Sequence, residues 1–273
     1  MFMGRIRLVC CDLDGTLLND DKSIGEEIIL WIKKLREEKE VPFVIVSGRY
    51  YPSVKRIADR ISTTGPLSCV NGALLYDEEG NEIKSHTLPF EVAEYIYSLS
   101  TQYKVEMLAV KGKDWLLKSR EGYLFKEKKP IYITDGTLVS FKDALSSIPV
   151  NKLLFMAEEK EELNKLENEI RSKVGEGVSY YTGSDFLEIM PAGTNKGQAI
   201  QDLSKLLRIP MSEIMVIGDD INDIEMLEEA GTSVVMENAD QRIKALGDYI
   251  TLKNNDNGVA HAIKHFWNEI SSI

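Results

Sequence analysis

The sequence predicts an α/β protein: a doubly wound parallel sheet with a second, α+β unit inserted into it. Three observations predict this. Apolar strands alternate with amphipathic helices at both ends of the chain, the rhythm of parallel strands joined by crossover helices. In the middle, strand follows strand, which requires antiparallel or mixed pairing and hence a separate unit. Glycine, carboxylate and hydroxyl residues gather where the terminal strands end, which is where such sheets bind ligands. The 273 residues, 43% of them apolar, suffice for one large or two modest domains. Boundaries are expected at 1–83 and 187–273 for the sheet core and at 84–186 for the inserted unit.

The first strand covers about 6–12 and runs into Asp12-Leu13-Asp14-Gly15-Thr16. Strand side chains repeat every second residue, so Asp12 and Asp14 are expected on one side, two carboxylates sharing a small site. Like charges so placed need a cation or a shared proton, which suggests a hard, oxygen-liganded metal such as Mg²⁺. One carboxylate can then attack an electrophile while its neighbour handles protons. A helix over about 24–39 leads to a second strand, 42–47, ending in Ser47-Gly48-Arg49 before a helix over 52–61. A serine and the amides of such a strand-to-helix turn form a small anion cradle, suited to phosphate. A third strand is expected near 67–71.

The middle region, from Lys84 to Asp185, predicts helices over Phe90–Tyr103 and Glu158–Lys173. Its strands fall near 105–110, 114–118, 138–141, 152–157, 178–181 and 186–190. The second helix, rich in Glu and Lys, reads as a solvated face. Trp115, Tyr123, Tyr180 and Tyr181 suit either a core or a substrate pocket. Hinges are expected at Asp77–Asn81 and Met190–Gly193.

Beyond it, Gly193-Thr194-Asn195-Lys196-Gly197 opens an amphipathic helix through about Leu207. A lysine there sits at the wrong end of the helix dipole, which hints at a bound anion, although in isolation a solvated surface lysine is the better reading. The strand 213–218 ends in Gly218-Asp219-Asp220-Ile221-Asn222-Asp223. One Asp or Asn is enough to cap a helix, so three carboxylates and an amide suggest metal ligation, with Asp219, Asn222 and Asp223 converging on one helix face. Strands near 232–236 and 249–251, a polar turn at Asn254–Gly258 and a helix over Val259–Ile270 complete the core.

In order and content these four motifs resemble the haloacid dehalogenase superfamily of phosphotransferases, and within it the Cof-type, or class IIB, phosphatases. The resemblance spans nearly the whole chain and implies a Rossmann-like core carrying a C2B-type cap. Cys11 stands where the family usually has Phe, a position that should pack into the sheet. The resemblance further implies a Mg²⁺-dependent phosphomonoesterase acting on small phosphorylated metabolites through an aspartyl-phosphate. Asp12 would be the nucleophile, Asp14 the acid and base, and Lys196 a third catalytic group. The metal would be held by Asp12, the Asp14 backbone carbonyl, Asp219 and Asp223. Leu13, Ser47, Gly48, Lys196 and Asn222 would bind the phosphoryl oxygens, with Thr16 and Asp220 supporting them from behind. A phosphomutase using the same first step, and a phospho-acceptor signalling domain, are the alternatives.

The net charge of −11 disfavours nucleic acid and anionic membranes as partners. No apolar run approaches the roughly 20 residues of a membrane span, and the first residues lack a signal-peptide core. With three cysteines, Cys10, Cys11 and Cys69, two adjacent in a buried strand, free thiols and a cytoplasmic location are expected. His261 and His265 are four apart but lack a third ligand nearby, so no zinc site is expected. The sequence leaves monomer and homodimer equally open.

Overall fold

The computed structural model describes residues 5–128, 134–183 and 185–271. They divide into two compact units, one made of the residues up to Gly48 with Val54–Asn81 and Asn195 onward, the other of Arg49–Ser53 and Glu82–Thr194.

The first unit is built on β1 (Leu8–Cys11), α1 (Glu26–Lys39), β2 (Phe43–Ile45), α2 (Tyr51–Arg60), β3 (Leu67–Cys69) and β4 (Leu74–Tyr76). The inserted unit contributes β5 (Glu82–Ser85), α3 (Phe90–Ser100), β6 (Glu106–Lys111), β7 (Asp114–Leu117), α4 (Tyr123–Lys128), β8 (Thr137–Leu138), α5 (Phe141–Ala144), β9 (Lys152–Met156), α6 (Lys160–Val174), β10 (Val178–Thr182) and β11 (Phe186–Pro191). The chain returns to the first unit with α7 (Lys196–Leu207), β12 (Ile214–Gly218), α8 (Ile224–Glu229), β13 (Thr232–Val235), α9 (Gln241–Lys244), β14 (Tyr249–Ile250) and α10 (Gly258–His265).

The core sheet has the order β14-β13-β12-β1-β2, every pair parallel. All four residues of β1 and all five of β12 are buried, as parallel strands covered by helices on both faces must be. Alternation assigns Leu8, Cys10, Ile214 and Val216 to one face, where Ala199, Ile200 and Leu203 of α7 pack. Burial of each such aliphatic side chain contributes about 1.5–3 kcal/mol. From β1 the chain winds outward to β2 on one side, while β12, β13 and β14 follow one another on the other. The switch point therefore lies between the adjacent carboxyl ends of β1 and β12, where Cys11 pairs with Ile217.

Three expectations need correction. The strand near 67–71 is not a full member of the parallel sheet: a single bridge joins Ser68 to Val46, and β3 pairs antiparallel with β4. The turn after β4 forms because the Asp77 carboxylate accepts from the Asn81 amide at 2.6 Å, a side-chain-to-backbone turn that competes with helix. The inserted unit extends past 186, because β11 pairs with both β9 and β10 in the sheet β10-β11-β9-β6-β7-β8. The last helix stops at His265; the amides of Trp267 and Glu269 bond three residues back, a tightened final turn, and Ile270 pairs with Ile6.

In the inserted unit one face of the sheet, with Ala109, Leu116, Leu153, Phe155, Leu187 and Ile189, packs against apolar residues of α3, α5 and α6. Trp115 and Tyr180 belong to this unit's packing: Trp115 is fully buried and stacks on Phe125. Among the described residues no helix is long and apolar enough to cross a membrane.

Candidate active site

The ladder hydrogen bonds of β1 continue one residue beyond the strand, since the Asp12 amide donates to Ile217 O at 3.0 Å. Asp12 is thereby fixed at the switch point, 5% exposed. The chain then leaves the ladder in a turn, with the Leu18 amide donating to Leu13 O at 2.8 Å. Gly15 carries this turn at φ +83°, and a Cβ there would stand 2.2 Å from Asp219 Oδ2. Only glycine satisfies both demands.

Lys196 enters at the first turn of α7, whose start is capped by Asn195 accepting from the Gln198 amide. Its ammonium lies 2.6 Å from Asp12 Oδ1 and 2.6 Å from Asp223 Oδ1, and the residue is fully buried. A surface lysine is thus ruled out. The other Asp223 oxygen accepts the amides of Asp219 and Asp220 at 2.8 and 3.1 Å. Asp223 therefore ties Lys196 to the turn after β12. Asp219 accepts from the Thr16 hydroxyl at 2.5 Å.

Carboxylate oxygens of Asp12, Asp219 and Asp223 lie within 4.8 Å of one another. Burial pushes the Asp12 carboxyl well above the usual range; Lys196 pulls it down, and Asp223 and Asp219 push it up again. Burial likewise raises Asp219 to about 7, against the Thr16 hydrogen bond. For Lys196 burial opposes the charge, but Asp12 and Asp223 outweigh it and hold the ammonium above its ordinary value. Once ionised, three carboxylates outnumber the one ammonium, and an all-oxygen donor set of this kind fits a hard divalent cation.

Not every expected residue joins this cluster. The Asp14 carboxylate is not one of the three that lie within 4.8 Å of one another: it pairs with Lys22 at 2.8 Å, with its side chain 42% exposed. The strand alternation that would have aligned the two ends at Asp12, where the turn begins. Asp220 caps the Ile221–Asp223 turn, accepting from the Ile221 amide. Asn222 donates to Asn71 Oδ1 at 3.1 Å, and Asn71 in turn donates its amide to Ser47 O. A Cβ on Gly48 would stand 3.0 Å from Asn71 Oδ1. Ser47, Gly48, Asn71 and Asn222 are thus one polar corner. Cys11 is buried, its thiol toward Asp12 O.

Sequence reading missed Asn71 and Asn238. Asn238 donates to Gly15 O at 2.8 Å and to Asp219 Oδ2 at 3.3 Å. It lies just past the carboxyl end of β13, and that position in a parallel sheet was the available signal.

The family profile described as haloacid dehalogenase-like hydrolase matches residues 9–263. The chain belongs to that family. An HMP-PP phosphatase of Serratia proteamaculans is 30% identical over 265 residues, covering 95% of each chain. A 5-amino-6-(5-phospho-D-ribitylamino)uracil phosphatase of Bacillus subtilis is 28% identical, covering 96% of each. Among solved structures, a Thermotoga maritima protein superposes with a TM-score of 0.86 at 30% identity, covering 95% of this chain and 97% of its own. A subclass IIB sugar phosphatase, at 21% identity and a TM-score of 0.82, shares the fold. This member of the haloacid dehalogenase-like hydrolases is an enzyme of the phosphatase type.

Proposed function

We propose that the enzyme hydrolyses phosphomonoesters of small metabolites through an aspartyl-phosphate on Asp12, with Mg²⁺ as its metal. The observation that carries this reading is the buried cluster in which Lys196 bridges Asp12 and Asp223 beside Asp219. The metal would be held by Asp12, Asp219 and the Asp14 backbone carbonyl, with Asp223 beside them bracing Lys196. When bound, it would offset the carboxylates and draw charge from the phosphoryl oxygens.

An Asp12 carboxylate oxygen attacks phosphorus in line, and the bond to the leaving alcohol breaks. Asp14, exposed enough to exchange protons with water, gives its proton to that oxygen. It then takes a proton from the water that attacks the aspartyl-phosphate, releasing phosphate and restoring Asp12. Lys196, Ser47, Asn222 and the amides of Leu13 and Gly48 hold the phosphoryl oxygens, over which charge spreads in the transition state. Thr16 and Asp220 support the site from behind, through Asp219 and the turn after β12. The inserted unit, the cap of this class, selects the leaving group. The relatives named above act on small phosphorylated molecules, which supports that substrate class.

The test is phosphate release from a panel of phosphomonoesters by the purified full chain with Mg²⁺. Turnover without any sugar acceptor is expected. Turnover only when a second sugar hydroxyl is supplied would make the enzyme a mutase, and no turnover on any ester would overturn the reading.

A further inference from the structure

Asn238 is exposed, yet its side chain makes three hydrogen bonds. Its amide nitrogen donates to Gly15 O and Asp219 Oδ2, and its oxygen accepts from the Asn254 amide at 3.0 Å. A backbone amide only donates and a carbonyl only accepts, so the orientation of this side chain is fixed by its partners. Asn254 is itself anchored: its side chain donates to Leu18 O and Asp20 Oδ1, both at 3.0 Å, and Asn255 donates to Asp20 Oδ2 at 2.8 Å. The side chain reaching Asp219 is therefore clasped to the same loop that Gly15 begins. With the Thr16 hydroxyl on Oδ1, both Asp219 oxygens are held by donors from separate segments.

We propose that Asn238 is a positioning residue of the metal site, holding the Asp219 carboxylate and the Gly15 turn in the arrangement that receives the divalent cation. This rests on the reading of Asp219 as a metal ligand. Without Asn238, Asp219 can turn away from the like charges of Asp12 and Asp223, and bringing it back weakens metal binding. Partners of this kind are worth about 10–100-fold in metal affinity.

The test is titration of the metal-free full chain with Mn²⁺, followed by the electron paramagnetic resonance signal of the free ion. Asn238→Ala is expected to raise the Mn²⁺ Kd by about 10–100-fold, and Asn238→Gln, which keeps an amide donor, by less. The Mg²⁺ concentration for half-maximal activity should rise in parallel while kcat at saturating Mg²⁺ recovers. Asn255→Ala removes a neighbouring contact to Asp20 and leaves the hydrogen bonds of Asn238 and Asn254 in place, so its Kd should match the wild type. An unchanged Kd in both Asn238 variants, or an equal loss in Asn255→Ala, overturns the proposal. If the wild type itself binds no Mn²⁺, the metal-site reading fails and this inference with it.

Discussion

Among the described residues, each unit buries one lysine against carboxylate. In the core, Lys196 meets Asp12 and Asp223; in the inserted unit, Lys152 meets Glu188 at 2.6 Å, with side chains 2% and 10% exposed. The two differ in balance. Lys152 on β9 is two residues from Leu154, which sits opposite Glu188 on β11, a diagonal cross-strand pair of one cation and one anion. The Lys196 cluster adds a third carboxylate, Asp219, and is negative once its carboxylates ionise. Burial of charge is thus common to both, and it is the uncompensated remainder that marks the reactive one. A neutral buried pair can be replaced by apolar residues, whereas a cluster with excess charge is built to take up a partner.

The comparison breaks most readily at Asp12. Asp12→Asn removes the proposed nucleophile while keeping shape, so turnover should fall on the order of 10⁴-fold or more with the circular dichroism spectrum unchanged. Wild-type-like turnover would end the covalent mechanism. In the inserted unit the effect should be one of stability: Lys152→Met removes the ammonium that faces the buried Glu188 carboxylate and should cost about 3–5 kcal/mol in urea unfolding. Lys152→Met with Glu188→Leu should recover most of that, and a double variant as unstable as the single would show that the pair is not interchangeable with apolar packing.

Asp14 belongs to neither buried kind, and Asp14→Asn should separate its role by leaving group. A loss of about 10²-fold or more is expected on an alkyl phosphate, and a smaller one in the acylation-like first step with p-nitrophenyl phosphate, whose leaving group needs no proton. Equal losses on both would count against the acid role.

The smallest effect concerns pH. Asp219 holds its proton up to about 7 in the folded protein, against an ordinary value of 3.8. Its folded-state affinity for the proton exceeds the unfolded one, so its contribution to metal-free stability is present at low pH and is lost as pH rises through 7. Metal binding requires the ionised form. The rise in Tm on adding Mg²⁺ should therefore grow between about pH 5.5 and about pH 8; a rise that is constant across that range would contradict the coupling.

The strands of the core and the placement of functional groups at their carboxyl ends were legible because β1, β2 and β12 are short unbroken apolar runs ended by glycine or polar turns. Lys196 was legible only by its motif. In isolation it reads as solvated, because the carboxylate that buries with it, Asp223, lies 27 residues away. Asp14 falls outside the three-carboxylate group because the chain turns after Asp12, where strand alternation stops. Asn238 acts through hydrogen bonds to segments 223 and 19 residues distant, and an isolated Asn after a strand carries no local pattern. The β3–β4 pairing was missed because its partners, three residues each, are too short to show a period.

The place of β1 between β2 and β12 also governs the order in which the molecule can be completed during synthesis. Val9 finds Phe43 early, but its other neighbour is Met215, and 184 residues separate Asp12 from Lys196. One edge of β1 stays unpaired until almost four-fifths of the chain has left the ribosome, while the six strands of the inserted sheet are all available by Pro191. Long-range closure of this kind is slow and leaves an apolar edge open to other chains. The nascent protein therefore passes through a stage in which its inserted unit can be finished and the Asp12–Lys196 cluster does not yet exist.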